Sequence, residues 1–157
     1  MRYHKKNIKG KLAAERQVLL SFLESLNEGD WTCLTQNDPW TVRDLLAHLV
    51  GAEVSQQGLI RMWLGGNTAM HPEFDIDRWN AGQLRRRKGR GVPQLLEDLT
   101  AAHQETLNLL DSLSEEELAL RGEHPFWGPE TSIEQVIRGI YRHDRLHLDD
   151  MRQAVGR

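Results

Sequence analysis

Apolar residues recur at three- and four-residue steps along four long stretches of the chain, and each stretch predicts an amphipathic helix. The first runs from about Lys11 to Asn27, with Val18, Leu19, Phe22, Leu23 and Leu26 on one stripe, and Gly29 and Asp30 stop it. The turn-forming stretch Thr35-Gln36-Asn37-Asp38-Pro39 follows. A second helix starts at Thr41, where Thr41-Val42-Arg43-Asp44 has the form of a capping box. Its apolar face is Val42, Leu45, Leu46, Leu49, Ala52, Ile60 and Trp63, and Gly65-Gly66-Asn67 ends it. Residues 67–91 carry no long periodicity; a short helix is expected to open at Arg78-Trp79-Asn80-Ala81, and the basic run Arg85 to Arg90 reads as a solvated loop, with contact to an anionic substrate or to nucleic acid as the alternative. The third long helix covers about Pro93 to Leu113, with Leu95, Leu96, Leu99, Ala102, His103, Thr106, Leu107 and Leu110 on its stripe. Ser114 to Leu118 reads as a capped turn or short helix, and Arg121 to Glu130 as a loop with Pro125, Gly128 and Pro129. The last helix opens at Thr131 or Ser132, with Glu134 expected to complete its cap, and runs to about Val155 with Val136, Ile137, Ile140, Leu148 and Met151 inward. No stretch alternates with the period of a strand. Four such helices must bury their stripes on one another, so the expected fold is all-α: a four-helix bundle with long crossover connections, formed by residues 1–157 as a single domain.

Composition narrows the picture without changing it. The 157 residues suffice for one sizeable core, 39% of them are apolar, and the 27% that are charged mix both signs to a net charge of −3. That balance argues against nucleic acid or an anionic membrane as a partner. No apolar run reaches the roughly 20 residues of a membrane span. The segment MRYHKKNIKGKLAAER is basic without the apolar core of a signal sequence, and Cys33 is the lone cysteine, so the expectation is a cytoplasmic protein.

Candidate chemistry rests on histidines. His143 and His147 stand four apart on the last helix, so both rings leave one face, the face of Val136, Ile140 and Met151. That spacing can set two ring nitrogens on one metal ion. The intervening Asp144, Arg145 and Leu146 exclude the zinc-protease helix motif. His48, at the edge of the second helix's stripe, could approach the pair across the bundle. Three imidazoles would leave open positions for water or substrate. The ordinary reading of the same residues is a coincidence of surface or core packing, and read alone they leave both possibilities open.

Trp40-Thr41-Val42-Arg43-Asp44-Leu45-Leu46-Ala47-His48-Leu49 resembles the start of the second helix in the DinB/YfiT-like family, and Arg142-His143-Asp144-Arg145-Leu146-His147 resembles its closing HxxxH motif. The resemblance extends through Asp77–Ala81 and Ser114–Leu118 to nearly the whole chain. It implies an up-down-down-up bundle, often a homodimer, that binds one divalent ion (nickel, zinc, iron or manganese) through His48, His143 and His147. It also implies action on a small-molecule substrate, either by hydrolysis or by transfer of a low-molecular-weight thiol to an electrophile. The Trp79-Asn80 pair resembles the related ClbS-like branch, some members of which lack the histidines that this chain keeps. Mycothiol-dependent maleylpyruvate isomerases and bacillithiol transferases form further branches, and no residue here selects a thiol. The alternatives to an enzyme are a bundle that sequesters a small molecule without turnover and a structural dimer.

The remaining polar residues have ordinary expectations. Asp44 caps its helix, or else orients His48. Glu53 is expected to be solvated or dimer-facing rather than a base or an added metal ligand, and Asp144 to be exposed. Trp79 and Asn80 either line a pocket or cap a short helix. His103 is expected as a core histidine, with a proton-shuttle role as the alternative. His4, His71 and His124 are expected at the surface, and Cys33 as a small packing residue.

Overall fold

The reciprocal cap expected at Thr41 sets the start of α2 (Val42–Leu64): the Asp44 amide donates to Thr41 Oγ1 at 3.1 Å and the Thr41 amide to Asp44 Oδ2 at 3.0 Å. Asp44 is thereby committed to the helix end. The computed structural model describes residues 2–37 and 39–157, so Asp38 of the turn-forming stretch lies outside it. α1 spans Arg2–Glu24 and begins well before Lys11. Ile8 and Leu12 extend its inward face, which continues through Leu19 and Leu23, whereas Val18 points outward. The other elements are α3 (Ile76–Arg86), α4 (Val92–Ser112), a one-turn α5 (Glu115–Leu118), strands β1 (Arg121–His124) and β2 (Gly128–Ser132), and α6 (Ile133–Val155). Ser132 caps α6, but its reciprocal partner is Gln135; Glu134 instead meets His4 and Arg138.

Side-chain pairings fix the helix directions. His4 meets Glu134 and Arg16 meets Asp144, so α1 and α6 run parallel. Lys9 reaches Asp111 and Arg16 reaches the Leu99 carbonyl, so α1 and α4 are antiparallel. Leu45 and Val50 pack with Leu95 and Leu99 at one end, and Ile60 and Trp63 with Leu109 and Leu110 at the other, so α2 and α4 are parallel. The order is up, down, down, up, and residues 65–91, with α3 inside them, carry the chain back from the end of α2 to the start of α4. α3 packs on α2, outside the four-helix ring.

Two apolar clusters fill the bundle. One gathers Ile8, Leu12, Ile60, Trp63, Leu110, Ile133 and Ile137; the other gathers Leu19, Leu23, Leu45, Leu46, Leu95, Leu99, Leu148 and Met151. Each fully buried side chain of this size contributes about 1.5–3 kcal/mol. Between the clusters lies a buried polar layer. Arg16, 2% exposed, donates to Asp144 at 2.9 Å, to Glu53 at 2.6 Å and to the Leu99 carbonyl at 3.2 Å. Thr106 donates to Glu53 at 2.6 Å, and Gln57 donates to Thr106 and to the Ala102 carbonyl. The expectations for Glu53 and Asp144 are therefore corrected: they are 2% and 4% exposed, because a shared arginine on α1 draws both inward.

The expected loop at 121–130 is also corrected. It is an antiparallel hairpin pairing Arg121 with Ser132 and Gly122 with Thr131, turned at Gly128 with φ +89°. Arg-Gly-Glu-His has no strand alternation; tertiary contacts impose the pairing. Gly122 lies on the face of Trp63, where an added Cβ would stand 2.3 Å from the indole. The Glu123 amide donates to the Thr68 carbonyl at 2.8 Å, and the Glu123 carboxylate accepts from the Met70 amide at 2.6 Å.

Candidate metal centre

His48 lies two turns into α2, and the antiparallel approach of α6 brings His143 and His147 opposite it. The Nε2 atoms of His48 and His143 are 3.2 Å apart, and those of His147 and His143 are 3.0 Å apart. One ligand atom from each ring lies within 4.8 Å of the others. The rings meet edge to face, with interplanar angles of 74°, 88° and 81°. Imidazoles on one ion at roughly 2.0–2.1 Å, subtending about 90–110°, have nitrogens roughly 2.9–3.4 Å apart. The donor set and both spacings thus fit one divalent ion.

Neighbouring groups favour the lone-pair state. His147 Nδ1 is 3.0 Å from Asp150 Oδ2, which places its proton on Nδ1 and leaves Nε2 free to ligate. The sequence reading missed Asp150, although its i,i+3 spacing from His147 was available as a signal. Trp40 packs against His48 with ring centroids 4.9 Å apart. Burial, followed by the nearness of His147, lowers His48 from its ordinary value to about 4; burial, then His147 and His48, lowers His143 to about 3. Burial also lowers His147, against the raising effect of Asp150. Protons therefore compete little for these nitrogens near neutral pH.

His48 and His143 line a cavity of about 650 Å³ between α2, α3, the hairpin and α6, and His147 stands behind them one turn along α6. Phe74, Trp79, Phe126, Trp127, Leu59 and Ile140 give it a largely apolar wall. Trp79 and Asn80, one or the other role left open by the sequence, both line it, and the Trp79 indole donates to Ser55 Oγ at 2.9 Å. Glu53 and Asp144 reach the cavity from the buried polar layer. Burial raises Asp144 to about 6, Arg16 acting in the opposite direction.

His124 corrects another expectation: it is 2% exposed. Its Nδ1 accepts the amides of Phe126 at 3.1 Å and Trp127 at 3.4 Å, so its proton lies on Nε2, 3.1 Å from Gln56 Oε1. Its ring stacks on Trp127 with centroids 4.1 Å apart, and burial lowers its pKa to about 4. His124 thus pins the hairpin tip over the cavity. The tip also needs Gly139 on α6, where an added Cβ would meet the Trp127 ring at 2.2 Å. Gly139→Ala is expected to dislodge the indole at a cost of about 1–3 kcal/mol and to speed hydrogen exchange of the amides at 124–128; unchanged exchange would show that the hairpin tip is held without this contact.

The other candidates separate clearly. His103 is half-buried on α4, and its Nδ1 has no hydrogen-bond partner among the described residues. His71 is exposed and its Nδ1 accepts the Glu73 amide; His4, half-buried, meets Glu134. Cys33 is partly buried and packs against the Leu19–Met151 cluster. The basic run divides: Arg85 and Arg86 close α3, Arg90 pairs with Asp98, and Arg87 turns toward α2.

A four-helix bundle in up-down-down-up order, with a histidine triad between α2 and α6, defines the class of this protein. The chain belongs to the DinB superfamily, whose model matches residues 11–151. Among solved structures, it is similar to YfiT from Bacillus subtilis, described as a probable metal-dependent hydrolase with an unusual four-helix bundle topology. The TM-score is 0.77 at 18% identity, over 99% of this chain and 90% of that one. It is also similar to DfsB, described as a sibling lethal factor precursor, with TM-score 0.76 at 16% identity over 95% and 93% of the two chains. No curated protein sequence matches the chain. Among the described residues, no helix is long and apolar enough to cross a membrane.

Proposed function

We propose that this protein is a metal-dependent enzyme that turns over a small electrophile, with one divalent ion held by His48, His143 and His147. The observation that carries the reading is the convergence of three Nε2 atoms, two of them on rings that line a mostly apolar cavity. The description of YfiT as a probable metal-dependent hydrolase supports the same reading. A divalent ion held by these three histidines would supply Lewis acidity toward a carbonyl, or toward the deprotonation of a water or thiol. The protein's own contribution is positional. Asp150 fixes the His147 tautomer, and the lowered pKa values of His48 and His143 keep their nitrogens unprotonated. Trp79, Phe126 and Trp127 form walls that limit water around the reacting groups. Hydrolysis and transfer of a low-molecular-weight thiol place the same demands on this site, and the added nucleophile distinguishes them.

Metal analysis of protein purified without an affinity resin tests the reading. Wild type is expected to carry about one ion per chain and His143→Ala less than a tenth of that, since removing one of three ligands from an open site leaves it incomplete. Turnover of activated esters, or of aryl halides in the presence of a thiol, is expected to stop on chelation and return on metal addition. Equal metal in both proteins, or turnover indifferent to chelation, would refute the assignment.

A further inference from the structure

Arg87 follows the last turn of α3, and its side chain lies against the backbone of α2 at Gly51. A Cβ at Gly51 would meet Gln83 Cβ at 3.0 Å, Arg87 Nη1 at 3.1 Å and Arg87 Cζ at 3.6 Å, so the missing side chain is what admits the guanidinium. Gly51 stands three residues after His48, one helical turn along α2 and on the same side. The guanidinium is thus set one turn from a residue of the histidine triad, and it lines the same cavity.

Its hydrogen bonding is incomplete. Nη1 donates to Gln83 Oε1 at 2.9 Å and to the Gln83 carbonyl at 3.1 Å, while among the described residues Nε and Nη2 meet no acceptor. Nor does any carboxylate of the described residues pair with Arg87. The nearby acids are already engaged: Asp98 with Arg90, Glu105 with Arg61, and Glu53 and Asp144 with Arg16. Burial and the neighbouring Arg86 and Arg90 lower the Arg87 pKa, with only Asp98 acting to raise it, so the cation is under-compensated where it stands. Other bonds hold it there. Arg43 donates to the carbonyls of Arg87 and Lys88, each at 3.1 Å, and also to that of Arg90, which ties the end of α3 to α2. A planar fork with two free donors matches a carboxylate in shape and charge. Trp79, about two turns before Arg87 along α3, packs on Phe74 with ring centroids 6.0 Å apart, and both offer flat apolar surface to the same cavity.

We infer that the ligand of this cavity is an organic anion: a carboxylate, or a group of like shape, held by Arg87 in the Gly51 notch, on an apolar, ring-sized body lying against Phe74 and Trp79. The inference rests on the proposed site for where the reacting end of the ligand lies, but its test is independent of the metal. Isothermal titration calorimetry on chelator-dialysed protein compares 2-naphthoate with its neutral isostere 2-naphthamide. Wild type is expected to prefer the carboxylate by about tenfold or more, R87Q to show a ratio within about twofold, and R87K, which keeps the charge but loses the planar fork, to fall between the two. Metal content of R87Q should equal that of wild type. If R87Q fails to fold, as judged by circular dichroism, R87M, which keeps the aliphatic stem, takes its place. Equal binding of the two probes by wild type, no saturable binding of either, or a preference that survives R87Q would each overturn the inference. Failure of the metal assignment would instead appear in the metal analysis and leave the calorimetric ratio unchanged.

Discussion

Arg16→Met is expected to destabilise the protein by about 3–5 kcal/mol, the largest effect of any single replacement outside the apolar core. The arginine is buried with two carboxylates and one backbone carbonyl as its acceptors. Without it, Glu53 and Asp144 keep their burial and lose their counter-charge, and Glu53 retains only the Thr106 hydroxyl. Because the penalty falls on ionised carboxylates, it should shrink as pH falls and Asp144, whose pKa burial raises to about 6, takes up a proton. Urea unfolding at pH 7.5 and pH 5 measures both parts. Replacing all three charges together, as R16M/E53L/D144L, is expected to recover much of the loss, since an apolar layer needs no compensation. A single-variant loss below about 1 kcal/mol would mean that water reaches this layer and screens it.

The second large effect is a steep acid limb in the metal-free protein. His48 and His124 have folded pKa values of about 4, and His143 of about 3, all below the ordinary 6.5 because burial disfavours the charged ring. Between those values and 6.5 the unfolded chain binds protons that the folded chain refuses, so stability is fully present above pH 6.5 and is lost as pH falls. Asp144 opposes this, because burial raises its folded pKa from 3.8 to about 6 and it takes up a proton on folding in that range. Three protons against one leave a net difference of about two, or roughly 3 kcal/mol per pH unit between about pH 6 and 4.5, and the burial of His147 and His103 acts in the same direction. Chemical denaturation in half-unit steps reads the slope. His124→Asn, which removes one of the three rings, should flatten it by about one proton. A profile flat to pH 4.5 would show that these rings are hydrated in the folded state.

The first effect, and the share of the second that comes from His124, arise from residues whose importance the sequence conceals, and the reason is physical. The long helices were legible because an apolar stripe is a local, repeated signal: Leu45, Leu46, Leu49, Val136, Ile137 and Ile140 point inward as their spacing requires. The i,i+4 pair His143 and His147 was legible for the same reason, and the structure brings it to His48. A buried charge gives no such signal. Arg16 stands among solvated neighbours on α1, and the partner that explains it, Asp144, is 128 positions away. Asp144 and Glu53 look like surface acids until that pairing is known. The hairpin escaped for a related reason, since its strands satisfy no pattern of their own and exist because Gly122 fits the face of Trp63 and Glu123 bonds residues 68 and 70. The start of α1 was missed because Ile8 and Leu12 are separated by lysines and glycine, which dilute the stripe.

Because α2 and α4 point the same way, the chain has to travel the length of the bundle between them without contributing to its central packing. That return path supplies Phe74, Trp79, Gln83 and Arg87 to the cavity, while all three histidines belong to helices of the ring itself. On the proposed reading, recognition by Arg87 and ligation by the imidazoles are written in separate parts of the polypeptide. Changes along the outer path can retune which molecules enter while the imidazoles keep their places, so a scaffold of this kind can acquire new ligands by altering its longest connector.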